Sequence, residues 1–506
     1  MKLSQENLQN ISNPGITVPE VKLFELPEKV LQFGTGVLLR GLPDYFIDKA
    51  NRQGIFNGRI VVVKSTGNGS SDAFSEQDCL YTLCVRGVVN GEKVEENIIN
   101  SSISRVLAAK DQWNEIVEVA KSADLQVVIS NTTEVGITYL EEDVKSGQAP
   151  ISFPGKLLAV LFNRYQAFNG IESQGLIIIP TELIPGNGKK LKGIVLELAR
   201  FNQFDQEFID WLSTANTFCD SLVDRIVPGK PDPASLAKLT AELGYEDNLL
   251  SMAEVYRLWA IEGNEKVKNV LSFAQADDGV IIAPDIEIYR ELKLRLLNGT
   301  HTLSCGLAFL AGFKTVKDAM DDELMSSFIS KLMLEEIASA IPYEMSAEES
   351  RSFASKVLDR FRNPEIKHEW IAITMQYSMK IKMRIVPVLL NHYRKSASVP
   401  VKIAFGFAAY LLFMKGVIKT GDDKFYGEFN GERYLINDDQ AEYFYEQWEY
   451  LNESELVYGI LSNVSLWGED LSALPGFEAA VAENLKAFQE GGVLTALKGL
   501  SAEIES

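Results

Sequence analysis

The sequence predicts a two-domain α/β protein. A Rossmann-like dinucleotide-binding domain is expected over residues 1–284, and a mostly α-helical domain over 285–506. Three observations carry this. A chain of 506 residues exceeds what one ordinary core holds. In its first half, short all-apolar runs alternate with helical periodicity, the pattern of a parallel sheet covered on both faces. Beyond Pro284 the pattern turns helical almost to the end.

Taken in order, residues 1–26 read as an extended, polar lead-in with Pro14 and Pro19. KVLQF (29–33) reads as a buried strand and runs straight into GTGVLLRG (34–41). Glycines after such a strand let the backbone approach a pyrophosphate, and the N–H groups of the next helix bind the anion. The usual fingerprint is G-x-G-x-x-G. Here Leu39 stands at the third glycine's place and Gly41 comes two residues late. A helix at 43–51 and a second strand, RIVVVK (59–64), supply the strand–helix–strand context that gives the glycines meaning. A site for NAD usually closes that second strand with an acid for the ribose 2′-hydroxyl. This strand ends Lys64-Ser65-Thr66, which leaves NAD and NADP both open on that ground.

A helix at 111–122 and a strand at 125–130 lead into NTTEVGI (131–137), small polar residues where strand ends meet ligands. A helix at 156–168, the strand GLIIIP (175–180) and the loop TELIPGNG (181–188) follow. That loop reads either as a plain Pro-Gly turn or as a ligand loop in which Asn187 offers an amide. After a helix at 188–201 comes ANTFCDSLVDRIVPG (215–229), where Asp224 and Arg225 read as a surface ion pair. GVIIAP (279–284) is the last strand. Helices are then expected at 285–297, 302–311, 323–341, 347–361, 371–390, 401–414, 438–448, 453–461 and 475–490.

Composition narrows the function classes. The net charge of −21 argues against nucleic acid or an anionic membrane as partner, since phosphate binding needs clustered Lys and Arg. A small anion remains compatible if a local basic pocket overrides that field. The N-terminus lacks the apolar core of a signal peptide. The most apolar later run, IAFGFAAYLLFM (403–414), is too short to span a bilayer and reads as a buried helix. Four cysteines show neither a C-x-x-C pair nor a zinc spacing, and the three histidines, His301, His368 and His392, are scattered. A cytoplasmic, metal-independent protein with reduced thiols is expected.

The stretch YRELKLRLLNGTHTLSCGLAFLAG (289–312) sets Lys293, Asn298 and His301 just ahead of an apolar run. At about 100° per residue, Lys293 and His301 lie about 80° apart, with Asn298 about 60° beyond His301. All three then share one broad side. The rise from Lys293 to His301 is roughly 12 Å, so either the Lys stem reaches forward or the helix breaks near Gly299. On spacing alone, solvated polar side chains are the commoner explanation.

Eight segments in order resemble the mannitol dehydrogenase family of polyol-specific long-chain dehydrogenases. They are QFGTGVLLRG (32–41), DCLYTL (78–83), SNTTEVGI (130–137), SFPGKL (152–157), IIIPTELI (177–184), NTFCDSLVDRIVPG (216–229), KLRLLNGTHT (293–302) and RFRNPEIKH (360–368). The SNTTE and P-x-E-L-I wording resembles the branch that interconverts tagaturonate and altronate, in hexuronate catabolism, more than the fructuronate or mannitol branches. The resemblance implies NAD as cofactor, held by Gln32, Phe33, Gly34, Thr35, Gly36, Val37, Leu38, Leu39 and Arg40 with Ser130, Asn131 and Thr132. It implies a K-x-x-x-x-N-x-x-H catalytic pattern, in which Lys293 is the general acid/base. Asn298 and Asn187 would hydrogen-bond the reacting oxygen, and His301 would orient it or a neighbouring hydroxyl. Val223, Asp224, Lys380 and Arg384 would contact substrate, with Lys380, Arg384 or Arg40 supplying a cation to the carboxylate of a sugar acid. Within the enzyme class, a fructuronate reductase or a mannitol-type polyol dehydrogenase is the alternative. Outside it, the alternative is a nucleotide-binding regulator without turnover.

Overall fold

The computed structural model describes residues 1–65, 71–132, 136–421 and 423–505, and divides into two compact units. The first comprises Met1–Gly87 and Lys93–Ile286; the second comprises Val88–Glu92 and Glu287–Ser506.

The first unit is built on a six-stranded sheet of β1 (Glu28–Phe33), β2 (Arg59–Lys64), β3 (Ile103–Ala108), β4 (Val127–Ser130), β5 (Ile177–Pro180) and β6 (Thr217–Phe218). The order across the sheet is β3-β2-β1-β4-β5-β6, and every pairing is parallel. This is the doubly wound arrangement, with its reversal of strand order between β1 and β4. The period-2 alternation of each strand explains why the runs are apolar throughout. Leu31, Phe33, Val61, Val63, Val128 and Ile178 enter the core on one face, under the helices Trp113–Ala120, Phe153–Ala167, Asn187–Phe201 and Gln206–Thr214. Val30, Ile60, Val62, Val127, Ile129, Ile177 and Ile179 enter the other, against Phe46 and Ile47 of the helix Pro43–Arg52 and against Trp259 and Phe273.

Helix starts follow local chemistry. Phe153–Ala167 begins three residues ahead of the expected 156, because Ser152 caps it by accepting from the Gly155 amide and Pro154 fits the first turn. The lead-in is less extended than expected. It holds the strand Ile16–Thr17 and the 3₁₀ turn Val21–Glu25, and Leu3 and Leu8 are buried.

Two further sheets belong to this unit. One has the order Ile16–Thr17, Glu92–Asn100, Tyr81–Val89, Ser251–Glu254; the other joins Ser221–Asp224, Leu258–Glu262 and Val280–Ala283. The last expected strand therefore exists but lies outside the parallel sheet.

The second unit is mostly α-helical, as expected, and also carries an antiparallel sheet of Ile418–Lys419, Phe425–Phe429 and Glu432–Leu435. Its centre is the pair of helices Thr300–Leu310 and Val401–Phe413, the latter buried on nearly every side. They meet at Gly406, where a β-carbon would stand 2.8 Å from the carbonyl oxygen of Leu303. Only glycine admits that approach. Among the described residues no helix is long and apolar enough to cross a membrane.

Candidate active site

In the first unit, the C-terminal ends of β1 and β4 are adjacent and cross-tied. The Asn131 amide after β4 donates to Phe33 O of β1 at 3.1 Å, and the Gly34 amide after β1 donates to Val63 O of β2 at 3.1 Å. Gly34 has φ +129°, and a β-carbon there would stand 2.8 Å from Asn131 O and 2.9 Å from Leu39 Cδ1. A glycine is therefore required twice over, by conformation and by space. Of the twelve expected cofactor residues, Gly34, Thr35, Gly36, Val37, Leu38, Asn131 and Thr132 retain solvent exposure at this strand reversal.

The other five are supports. Gln32 is buried and donates to Asp44 Oδ2 at 3.4 Å, Phe33 packs on Phe153, and Leu39 and Ser130 are buried. Arg40, expected also as a cation for substrate, is a correction. Its guanidinium is buried beside the Phe74 and Tyr81 rings and donates to Leu249 O. Thr133, Glu134 and Val135 of the 130–137 motif lie outside the described residues, as does Thr66 beyond β2.

Sequence reasoning missed Glu182. Its buried carboxylate accepts from Ser130 Oγ (3.1 Å), Thr132 N (2.8 Å) and Thr132 Oγ1 (2.9 Å), while Thr181 Oγ1 accepts from Asn131 Nδ2 (2.9 Å). The pair after β5 thus shapes the loop after β4. The only signal was its place in the P-T-E-L-I wording.

Asn187 is a second correction. Its Nδ2 donates to Pro180 O, Glu182 O and Ser221 O, each at 3.0 Å, and its Oδ1 accepts from the Gly188 and Ser221 amides. A carboxamide has two N–H donors, so none remains for a substrate oxygen. Asn187 is a bracket between strand ends. Val223 is buried in the core, paired in register with Trp259, and Asp224 is buried at the end of the same strand. Arg225 is buried over the Tyr45 ring and donates to Glu254 O and Gly41 O, so the surface pair expected there does not exist.

In the second unit, the helix Glu287–Leu292 passes into a π-helical segment, Lys293–Gly299, and on into Thr300–Leu310. There is no break at Gly299, which keeps helical φ −65° and ψ −47°. The π segment pairs residue i with i+5, so the 100° ruler used for Lys293 and His301 does not apply across it. A second π segment, Ile381–Ile385, packs beside the first. Arg295, unnoticed in the sequence, locks the two. It pairs with Glu291 at 2.9 Å and donates to Met383 O (2.6 Å) and Arg384 O (3.0 Å).

Lys293 and Asn298 are half-buried, and the carboxamide of Asn298 has no hydrogen-bond partner among the described residues. His301 is buried. Its ring stacks on Phe361 at 4.2 Å and meets the edges of His368 (5.1 Å) and Trp370 (6.0 Å). Its Nε2 is buried and without a partner among the described residues. Burial holds its pKa well below the usual imidazole value, and His368, Arg360, Arg384 and Lys380 push the same way, so the ring is neutral. His368 is lowered too, by burial and then by Lys380 and Arg360. Lys380 donates to Ile373 O at 2.9 Å, and burial with the neighbouring Arg384 lowers its pKa. Arg384 donates to Thr302 Oγ1 at 3.0 Å. The structure thus gathers His301, Lys380 and Arg384, together with Arg360 and His368, on one side of this unit.

Comparison with known proteins decides the family. Residues 28–274 match the mannitol dehydrogenase Rossmann domain, and residues 285–489 match the mannitol dehydrogenase C-terminal domain. The chain belongs to the mannitol dehydrogenase family. As a member it is an oxidoreductase, a dehydrogenase acting on CH–OH groups. The altronate oxidoreductase of Halalkalibacterium halodurans is 40% identical over 492 residues, covering 96% of this chain and 95% of that one. That of Bacillus subtilis is 38% identical, covering 94% and 95%. The fold is shared with Pseudomonas fluorescens mannitol 2-dehydrogenase, solved as a ternary complex with NAD and D-mannitol. That match has TM-score 0.65 and 23% identity, over 99% of this chain and 100% of that one. A D-sorbitol dehydrogenase in substrate-free form matches with TM-score 0.73 and 20% identity, over 98% and 100%.

Proposed function

We propose that this dehydrogenase interconverts D-tagaturonate and D-altronate with NAD: tagaturonate + NADH + H⁺ gives altronate + NAD⁺. The observation that carries the reading is the full-length likeness to altronate oxidoreductases, with Lys293, Asn298 and His301 standing in the family's catalytic pattern.

The residues at the strand reversal fit a dinucleotide. Gly34 holds a conformation and a space that a side chain would fill, with the half-buried Thr35, Val37 and Leu38 and the exposed Gly36 after it and Asn131 and Thr132 opposite. When bound there, NAD(H) supplies the hydride exchange. Lys293 holds the proton that passes to the carbonyl oxygen on reduction, and takes the hydroxyl proton on oxidation. Asn298, with its amide uncommitted, donates to the same oxygen as negative charge develops on it. His301, kept neutral, offers Nε2 as a polar contact for the oxygen or an adjacent hydroxyl without adding a charge. Among the substrate contacts expected from sequence, Lys380 and Arg384 stay in this reading as cations near His301.

The test is NADH oxidation by the purified protein with tagaturonate, fructuronate and fructose in parallel. Preference for tagaturonate is expected. Preference for fructose would move the substrate to a neutral polyol.

A further inference from the structure

The surroundings of His301 are electrostatically one-sided. His368, Arg360, Arg384 and Lys380 are the leading charged or titratable groups that act on this buried ring, all in the same direction. In a chain of net charge −21, such a gathering runs against the overall field. Its two imidazoles are held neutral, so the charge belongs to the three longer side chains. The Nε2 of His301 is buried and without a partner among the described residues.

The three cations are not equivalent. Lys380 is tethered to Ile373 O. Arg360 is buried and engaged at the end of the helix Ala347–Phe361. Arg384 is half-buried and held by one nitrogen only, NH1, which donates to Thr302 Oγ1 at 3.0 Å and reaches Asn298 O at 3.5 Å. Its Nε and NH2 have no partner among the described residues, so one edge of the fork stays available for two parallel bonds to a carboxylate. The backbone beneath it is fixed by Arg295, whose NH1 takes the Met383 and Arg384 carbonyls. A guanidinium held at its root and at one nitrogen is pre-organised for an anion, and Asn298, the neighbouring donor to the reacting oxygen, sits on the same turn as Thr302.

We propose that Arg384 is the specificity-determining residue of this site: it binds the substrate carboxylate as a fork and thereby selects sugar acids over neutral ketoses. This rests on the tagaturonate reading and names the side chain that makes it selective. Lys380 and Arg360 add long-range attraction rather than geometry.

The test compares wild type, Arg384→Gln and Arg384→Lys in NADH-linked reduction of D-tagaturonate and of D-tagatose, the neutral ketose of the same configuration. Calorimetric titration with D-altronate and with its neutral alditol runs alongside. A charge-assisted pair removed from a partly desolvated site costs about 10- to 100-fold. The ratio of kcat/KM for acid over ketose is expected to fall by that factor in Arg384→Gln, mainly through KM, with Arg384→Lys in between. Altronate affinity is expected to fall in parallel while unfolding midpoints stay close to wild type. An unchanged acid-to-ketose ratio, or equal losses on both substrates, overturns the role of Arg384. A wild type that neither reduces tagaturonate nor binds altronate overturns the parent reading, and this proposal with it.

Discussion

A β-carbon placed on Gly34 would stand 2.8 Å from the carbonyl oxygen of Asn131, so the chain after β1 and the chain after β4 approach too closely there for any residue but glycine. The same residue has φ +129°, costly by about 1–3 kcal/mol for any other side chain. Gly34→Val is therefore expected to separate the two loops and weaken NADH binding about tenfold or more, roughly 1.4 kcal/mol or above. Titration of nucleotide fluorescence checks this, and an unchanged affinity would remove the loop from the cofactor site.

Asn187 shows how far sequence and structure part. Its position in the loop 181–188 offers an amide to a ligand, yet the buried side chain joins Pro180, Glu182 and Ser221. Replacing it with alanine leaves buried carbonyls and amides unpaired, at about 1–3 kcal/mol each. The expected outcome is lost stability, on the order of 3 kcal/mol in urea unfolding, ahead of any specific change in kcat. A stable Asn187→Ala protein with a collapsed kcat would return Asn187 to the chemistry.

Asp44 makes stability depend on pH. It is fully buried, and desolvation lifts its carboxyl from 3.8 to about 8, against the opposing effects of Gln32 and Arg40. Between those two values the folded state holds a proton that the unfolded chain releases. Its contribution is therefore complete below about pH 4, declines as pH rises, and levels off above about 8. Asp44→Asn keeps the shape without the titration. Its stability relative to wild type is expected to rise steadily from pH 5 to 8 and then stay flat. A difference independent of pH would mean that Asp44 is ionised in the fold.

Lys293→Ala tests the proton step. Turnover is expected to fall about 10²- to 10⁴-fold, the range for removing a general acid/base, while NADH affinity stays near wild type. Wild-type-like rates would sink the assignment. Loss of nucleotide binding together with turnover would point to disruption of the fold.

What the sequence carried, and what it did not, follows from the kind of signal each feature leaves. The strands Glu28–Phe33, Arg59–Lys64 and Ile177–Pro180 were legible because both their faces are buried over most of their length, so each has a mainly apolar run. Ala347–Phe361 was legible to the residue, because Ser346 and Glu349 form a capping box ahead of it. The hairpins were written but passed over. Asn90-Gly91 and Asn430-Gly431 both have positive φ at both positions, the turn that an Asn-Gly pair favours between strands. Helical periodicity nearby masked the second.

The π segments at Lys293–Gly299 and Ile381–Ile385 had no sequence signal, since a shift from i+4 to i+5 pairing leaves the apolar pattern nearly intact. The buried state of Arg40, Arg225 and Arg295 was equally hidden. Each donates to a backbone carbonyl distant in sequence, which no local pattern announces, although Arg295 also pairs with Glu291 one turn away.

The most direct measurement is the loss of NADH absorbance when purified protein meets D-tagaturonate, beside fructuronate, fructose and an NADPH control. Efficient oxidation of NADH with tagaturonate, and markedly less with the other ketones or with NADPH, is the predicted result. No oxidation with any ketone, despite measurable NADH binding, would contradict the account.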